Sequence, residues 1–544
     1  MISLRATLLL TWVLFSGALH AQVLPPIPAI PDQERKLSTA PRLFVREFRF
    51  EGHRAFADAE LNRVTEPFTN RLLGIEDLEL ARRAVSLFYV TNGFVNSGAL
   101  LPDQNPTNGI IRIQIVEGVL TGINLSGNTW LRDGYIESRL QRWSTPPLNL
   151  NKLQEGLQLL RQNPNVEQIN AELKPGTAPG EAVLDLRVKD KHPFRLGLQA
   201  DNQRPPSVGA EQLWALASIE NLTGNSDRLD LKYGIANTGA DDDIEFSGTD
   251  NLAGSYTLPL NRYDTTLGLH ASRLNSSLVE ETFLPLDIES LTTSYGVVLR
   301  QPVYQTAHRE FALSIGFDHR QNESFLLGEP FNLSPGAVDG ETKVSVLRFS
   351  QEWVERGSSH ILALRSTFNF GLDILDATDD GIRGNPDATF FSWLGQAQYV
   401  RRLFNTQNEL VLRVTGQYTD EPLLALEQFS VGGVDTVRGY LENQLVRDRG
   451  IVSSVEFRVP ILFNKTGAGI VHLAPFYDFG GAWNVDNSSK PATISSVGLG
   501  LLLAPSKHFS AQLYWGHALR EIDRSDDSGL QENGFHFKVN LIAF

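Results

Sequence analysis

The spacing of apolar residues divides the chain into two regions of different character. Between about residues 43 and 191, alternating segments are interleaved with segments whose apolar residues lie three and four positions apart, so this region is predicted to mix strands and helices. From about residue 193 onwards the helical spacing disappears and short segments of strict apolar/polar alternation recur to the last residue. The second region is therefore predicted to be entirely β.

The first region contains an internal repeat. The segment "REFRFEGHRAF" at 46–56 aligns with "TGINLSGNTWL" at 121–131, about 75 residues further on. Each copy continues with two helix-like stretches and closes with period-two strands, "GIIRIQIVEG" in the first and "AVLDLRVKD" in the second. The repeat predicts two consecutive β-α-α-β-β modules, at residues 43–118 and 119–191.

The second region carries one apolar face and one small or polar face on each of its strands. In "FALSIGF", at 311–317, the phenylalanines, leucine and isoleucine alternate with alanine, serine and glycine. This pattern fits lipid on the outside of a barrel and water in its lumen, although a soluble β-sandwich shows the same alternation. Sixteen candidate strands begin near residues 194, 212, 227, 251, 264, 291, 309, 343, 359, 389, 409, 450, 470, 494, 508 and 534.

The connections between these strands decide between a barrel and a sandwich. Short connections such as "NRYD" and "ERGSS" alternate with long ones of roughly 15 to 30 residues, and the strand count is even. A sandwich has no reason to obey that parity, whereas a barrel places tight turns on one side of a membrane and long loops on the other. We therefore predict a membrane all-β fold at residues 192–544, a 16-stranded antiparallel transmembrane β-barrel preceded by two α+β modules.

Composition narrows the cellular setting. Arg5 precedes the apolar run "ATLLLTWVLFSGAL", which predicts a secretory signal peptide at residues 1–21, followed by a proline-rich linker at 22–42. No later stretch approaches the roughly 18 to 20 apolar residues of a membrane-spanning helix. The 544 residues include no cysteine and carry a net charge of −15, which excludes disulfide or thiol chemistry and disfavours nucleic acid as a partner. We find no nucleotide-binding motif and no metal-ligand spacing, so no metal, cofactor or nucleotide is expected.

Two short motifs carry the candidate chemistry. "VRGY", comprising Val437, Arg438, Gly439 and Tyr440, lies in the longest loop, between the eleventh and twelfth predicted strands. In "FYDFGG" of the thirteenth strand, the period of two places Asp478 on the lumen face. Arg438 lies on a loop long enough to reach Asp478 and form a partly desolvated ion pair with it.

The alternatives are an ordinary hairpin tip for the loop and a solvated lumen acid for the strand. The neighbours Phe476 and Gly480 are assigned to the same part of the barrel wall, and Glu456 and Arg458 of the twelfth strand turn inward as further lumen partners. The histidines, among them His472, His508, His517 and His536, are predicted to be single lumen or turn residues.

A third candidate lies in the second module. The strand near "QINAELK" places Ile169, Ala171 and Leu173 on one face and is a candidate sheet edge for adding a substrate strand. A plain structural strand is an equally good interpretation.

Together, the tandem modules, the sixteen strands, "VRGY" in the sixth long loop and "FYDFGG" in the thirteenth strand resemble the two-partner secretion transporters of the TpsB family. The modules resemble POTRA domains. The resemblance implies a non-enzymatic outer-membrane translocator whose POTRA domains lie in the periplasm, receive an unfolded exoprotein and deliver it to the pore. Its sixth loop would fold into the lumen, where Arg438 bonds to Asp478.

The partners implied by this resemblance are a secreted TpsA-like exoprotein, outer-membrane lipid and the barrel-assembly machinery that inserts the chain. The exoprotein itself, a haemolysin, an adhesin or a contact-dependent toxin, stays open. Residues 22–42 are too short and proline-rich for the long plug helix that many family members carry. The rivals are a barrel-assembly insertase of the same superfamily, a passive porin and an outer-membrane enzyme.

Overall fold

The computed structural model describes residues 42–106, 108–237, 249–279, 286–379, 381–382, 384–404, 406–486, 490, 492–522 and 529–543. The predicted signal peptide, all of the predicted linker except Arg42, and Phe544 lie outside these ranges. Among the helices within them, none has the length and apolar character needed to cross a membrane.

The first module packs two helices against a small sheet. Its elements are β1 (Leu43–Val45), β2 (Glu47–Glu51), α1 (Asp58–Thr65), β3 (Arg71–Leu73), α2 (Ile75–Thr91), β4 (Gly98–Leu100) and β5 (Ile110–Val116). The sheet order is β2-β5-β4, and β1 pairs separately with β3. The alternation of β5 buries Ile111, Ile113 and Ile115 against Val85 and Tyr89 of α2. The apolar faces of the helices and of the strands therefore pack together in one core.

The second module repeats this arrangement. Its elements are β6 (Val119–Ser126), α3 (Asp133–Trp143), α4 (Leu150–Gln162), β7 (Val166–Pro175) and β8 (Glu181–Asp190). The sheet order is β6-β8-β7, with β6 parallel and β7 antiparallel to the central strand, so β7 is an edge strand. Leu184 and Leu186 of β8 are buried against Leu153 and Leu160 of α4.

Within the described ranges, sixteen strands form a closed barrel in which every pairing is antiparallel and β27 closes onto β9. They are β9 (Phe194–Asp201), β10 (Gln212–Glu220), β11 (Arg228–Ala236), β12 (Asp250–Pro259), β13 (Thr266–Ser277), β14 (Ile288–Gln305), β15 (Arg309–Leu326), β17 (Glu341–Arg356), β18 (His360–Leu372), β19 (Phe391–Leu403), β20 (Asn408–Thr419), β23 (Arg449–Phe463), β24 (Gly469–Trp483), β25 (Thr493–Ser506), β26 (Phe509–Ala518) and β27 (Phe535–Ile542). The short β16 (Glu329–Pro330) only pairs antiparallel with the last two residues of β15.

The barrel confirms the predicted fold class and strand number. Predicted and observed strand starts differ by at most three residues, the largest difference being 291 against Ile288. Apolar side chains such as Leu198, Leu499 and Trp515 are exposed on the outer face, where they meet lipid. Buried polar residues such as Ser314 and Asn369 lie on the other face of their strands.

The second module rests on the short turns at one end of the barrel. Arg139 of α3 pairs with Asp264 at 2.9 Å between Nε and Oδ1, and its guanidinium stacks 3.7 Å from the Tyr135 ring centroid. Asn165 donates to the Ser226 hydroxyl at 2.7 Å, and Gln162 donates to the Ala307 carbonyl at 2.7 Å. Three successive short turns therefore contact this module, which fixes it at the barrel mouth.

Candidate functional site

The loop between β20 and β23, called loop six below, spans residues 420–448 and lies inside the barrel. It contains a short hairpin, β21 (Phe429–Val431) paired with β22 (Leu445–Arg447). "VRGY" lies at the tip between these strands. Phe429, Val431 and Val437 of the loop are buried with Val452, Ala482 and Ile494 of the barrel wall. Loop six is thus packed against the wall, as the inward-folded interpretation requires.

Arg438 makes the central contact of the tip. Its Nε donates to Asp478 Oδ2 at 2.8 Å and its Nη2 donates to Asp478 Oδ1 at 2.9 Å, so the guanidinium fork binds both carboxylate oxygens. Nη1 donates to Glu456, and Nη2 also donates to the Ser454 hydroxyl at 3.1 Å. Arg438 is 2% exposed and Asp478 is fully buried. The two motifs predicted to meet are brought together.

The neighbouring wall residues enclose the guanidinium. Its Cζ lies 3.6 Å from the Phe476 ring centroid and 4.7 Å from that of Tyr514, which places a cation over aromatic faces. Arg458 donates from Nε to the second Glu456 oxygen at 2.7 Å. Glu456 therefore bridges two arginines, and Arg458 reaches Arg438 only through it.

Close backbone approach explains the glycines of both motifs. Gly439 has φ +88°, and a Cβ there would lie 2.6 Å from the Gly516 carbonyl of β26. A Cβ on Gly480 would lie 2.3 Å from Val431 and 2.7 Å from Val437. Any larger residue at either position would push the tip away from the wall.

Sequence reasoning missed some of the barrel-wall residues that contact the tip of loop six; this set of wall residues, which includes Asp478, Glu456 and His536, is called the seat below. His536 of β27 is fully buried and accepts the Gly439 N–H at 3.3 Å, so its assignment as an isolated lumen residue was incomplete. Tyr440, of the predicted motif, places its hydroxyl 2.9 Å from the Arg520 carbonyl and 3.0 Å from the Ser495 carbonyl. Gly516, Tyr514 and His536 lie in strands β26 and β27, whose alternation gives no signal of a contact with a loop some 80 to 100 residues earlier.

The candidate substrate edge lies far from this seat, on β7. Ile169 and Leu173 are half-buried against the module core, and Ala171 between them is exposed. Lys174 pairs with Asp185 of β8 at 2.5 Å between Nζ and Oδ2, and this hydrogen bond lowers the pKa of Asp185. One long side of β7 has no neighbouring strand in its sheet among the described residues.

The corresponding edge strand of the first module, β4, is covered instead. Ala99 of β4 donates its N–H to the Ser86 hydroxyl at 3.0 Å and accepts from Arg82 Nη1 at 2.9 Å through its carbonyl. Both side chains come from α2, so the backbone of this short strand is already hydrogen-bonded. Strand addition is therefore better supported at β7 than at β4.

No group of three or more His, Asp or Glu side chains is arranged to hold a metal ion within the described part of the chain. The carboxylates of the lumen seat are bound to arginines. The chemistry of the site is therefore ionic anchoring of a loop.

Comparison with known proteins supports the resemblance to two-partner secretion transporters. A family model described as haemolysin secretion/activation protein ShlB/FhaC/HecB matches residues 180–503, more than half of the chain. A second model, described as POTRA domain, ShlB-type, matches residues 43–118.

Individual relatives are distant but match over most of their length. Outer membrane transporter CdiB of Dickeya dadantii (strain 3937) is 24% identical over 450 residues, which cover 80% of this chain and 77% of the relative. Hemolysin transporter protein ShlB of Serratia marcescens is 23% identical over 489 residues, which cover 86% and 82%. The solved structure of CdiB from Escherichia coli matches with a TM-score of 0.71 at 21% identity, over 94% of this chain and 93% of that chain. At this identity the structural likeness bears on the fold alone.

Proposed function

The chain belongs to the ShlB/FhaC/HecB family of haemolysin secretion/activation proteins, the outer-membrane transporters of two-partner secretion, and on that premise we propose that it exports one unfolded exoprotein through its own barrel. Members of this family work with a secreted TpsA-type partner, and their POTRA domains are periplasmic. We assign residues 43–118 and 119–191 to two POTRA domains and 192–544 to the barrel. Outer-membrane lipid surrounds the barrel, and the barrel-assembly machinery inserts it.

The observation that carries this proposal is the packing of loop six inside the lumen. Loop six, whose Arg438 is 2% exposed and is bound to the lumen wall, occupies space that a chain passing through the barrel would need. Because the contact is ionic and hydrogen-bonded rather than covalent, the loop can leave and return. Export therefore requires loop six to move, and Val437, Arg438, Gly439 and Tyr440 fix its resting position.

Capture of the exoprotein is assigned to the edge of β7. An extended segment that adds to this edge hydrogen-bonds through its main chain, which suits an unfolded protein of varied sequence. Ile169, Ala171 and Leu173 supply the local apolar surface beside the bound strand. Because the second POTRA domain contacts three barrel turns, a segment bound there is held near the pore mouth.

Deletion of the gene tests the overall proposal. We expect the cognate exoprotein to remain in the periplasm and to be degraded while other outer-membrane barrels assemble normally. A general failure of barrel assembly would instead favour the insertase interpretation, to which the solved structure of BamA from Haemophilus ducreyi gives a weaker fold match, with a TM-score of 0.52 at 13% identity over 92% of this chain and 100% of that chain.

Cysteine cross-linking tests the β7 edge, because the natural chain contains no cysteine. An Ala171→Cys variant should cross-link to a stalled exoprotein that carries a cysteine in its secretion signal. The matched control is Glu76→Cys, which is also at an exposed position, on α2 of the first domain. Equal cross-linking at both positions would remove β7 from the mechanism.

A further inference from the structure

The base of loop six lies against a different wall of the lumen from its tip. The tip contacts β23, β24 and β27 through Arg438 and Gly439. The base, residues 423–427, packs beside β17. In barrel order β17 is the eighth strand and β27 the sixteenth, so these two strands lie half-way round the barrel from each other. Loop six therefore crosses the full width of the lumen.

A buried carboxylate holds the base in place. Glu427 ends the short 3-10 turn Ala425–Glu427, and its side chain is 6% exposed. Its Oε1 accepts from Arg348 Nη2 at 2.8 Å and lies 3.4 Å from Arg320 Nη1. Arg320 Nη1 also donates to the Leu426 carbonyl at 3.0 Å. Two arginines of β15 and β17 thus bind one acid of the loop.

The wall side of this contact is held in place by its own partners. Arg348 Nε donates to Asp318 Oδ2 at 2.6 Å, and Nη1 donates to Asn369 Oδ1 at 2.9 Å. All three guanidinium nitrogens are used, which fixes the fork that receives Glu427. Leu423 and Leu424, at 1% and 0% exposure, pack beside this contact against the apolar residues Val344, Val346, Ala388 and Phe390.

The two contacts have opposite polarity. At the tip the loop supplies the cation and the wall supplies the carboxylates, whereas at the base the loop supplies the carboxylate and the wall supplies the cations. Neither contact shares a residue with the other, so each holds the loop independently. A loop anchored at one end only would be free to swing within the lumen, while one anchored at both ends is fixed across it.

We propose that Glu427, through Arg348 and Arg320, is a second positioning residue for transport, which holds the base of loop six on a separate part of the wall from the Arg438 contact and keeps the pore closed. The inference rests on the proposed function, in which loop six must move for the exoprotein to pass. Breaking either contact opens the lumen in part, and breaking both opens it further. An exoprotein that displaces only the tip meets a loop still tethered at its base.

Channel conductance of the full-length protein in planar bilayers tests this proposal without any exoprotein. For Glu427→Gln we expect the open fraction to rise by about tenfold, because a buried charged hydrogen bond is lost. Arg348→Gln should give a similar rise, and the double variant of these two should rise by less than the combined single effects, because both changes break the contact between Glu427 and Arg348. Combining Glu427→Gln with Arg438→Ala should exceed either change alone.

The matched control is Glu421→Gln, the same substitution at an exposed acid of the same loop. Conductance of Glu427→Gln equal to this control, or additive effects of Glu427→Gln and Arg348→Gln, would overturn the proposal. Heat-modifiable migration in gels reports whether each barrel is folded. If Glu427→Gln does not fold, Arg320→Gln, at a side chain 36% exposed, replaces it, and an unchanged conductance there would equally overturn the proposal.

These outcomes are separable from those of the proposed function. If gene deletion leaves every exoprotein correctly secreted while Glu427→Gln still raises the open fraction, the export proposal fails and the second anchor stands. If deletion abolishes secretion while Glu427→Gln leaves conductance unchanged, export stands and the second anchor fails.

Discussion

Replacing Arg438 with alanine should release the tip of loop six and leave the barrel folded. The truncation leaves Asp478, at 0% exposure, without its arginine partner, and leaves Glu456, at 1% exposure, with Arg458 alone. Removing one partner of a buried ion pair destabilises by about 3–5 kcal/mol. About 1.4 kcal/mol corresponds to a factor of ten in an equilibrium. The closed loop should therefore lose about two to four orders of magnitude in population relative to the released loop.

The barrel itself should tolerate this change. The ladders of β23 with β20 and β24 are formed by backbone groups over most of their length, and Arg438 belongs to none of them. We expect normal insertion and heat-modifiable migration, a larger open fraction in planar bilayers, and a sharp fall in secretion. Secretion should fall because the loop can no longer return to the resting position from which the proposed cycle of export starts.

Two control variants isolate the buried contact. Arg438→Lys keeps the charge but loses the fork that binds both Asp478 oxygens, so its effect should be intermediate. Arg449→Ala removes the arginine that begins β23, directly after loop six; its partner Asp420 is 75% exposed, and such a pair contributes about 0–1 kcal/mol. Undiminished secretion by Arg438→Ala would refute the role of the ion pair in transport.

Three further predictions address other parts of the molecule. Gly439→Ala should displace the tip of loop six from the wall and raise the conductance, because φ is +88° and the Gly516 backbone fills the space that the new Cβ would need. The control is Gly467→Ala, which has a similar φ of +80° but no atom within 4 Å of the new Cβ, and it should leave the conductance unchanged. Arg139→Ala should loosen the second POTRA domain by about 1–2 kcal/mol, seen as faster hydrogen exchange in residues 260–265, because an ion pair and a cation–π contact are lost. Burial and the nearby Glu117 raise the pKa of Tyr89. The stabilising contribution of the neutral Tyr89 side chain is therefore fully present below about pH 10 and is lost as the pH rises further. Tyr89→Phe should reduce this alkaline destabilisation of the first domain, as measured by pulse proteolysis.

The sequence pattern predicted the barrel well because its physical determinants are local. Alternation with a period of two, tight turns and loop parity are all properties of neighbouring residues, and they placed Asp478 on the lumen face correctly. The β1 and β3 pair and the loop hairpin of β21 with β22 were not predicted, since strands of three residues carry too little alternation to stand out.

The seat of loop six was predicted only in part, for a different physical reason. Arg438 and Asp478 belong to compact motifs rich in glycine and aromatic residues, whereas Gly516, His536 and Arg348, which donates to Glu427, lie in strands with ordinary alternation. Which lumen residues a loop touches depends on the path it takes across the barrel. That path follows from packing of the whole loop, and no period along the chain encodes it.

The ionic character of both anchors suits a loop that must leave its seat. In a buried ion pair, the attraction between the two charges is offset by the free energy needed to desolvate them. An intact pair therefore contributes little net free energy of stabilisation, although it fixes the position of the loop. When the exoprotein displaces the loop, Arg438 and Glu427 enter a wet lumen together with their former partners, and all of these groups regain water. In Arg438→Ala the buried carboxylate of Asp478 loses its arginine partner while the loop is in place, so the large effect of this variant measures the cost of that unpaired charge. The free energy that the exoprotein must supply to open the pore is therefore smaller than the effect of Arg438→Ala, and a seat made only of apolar contacts would lack this property.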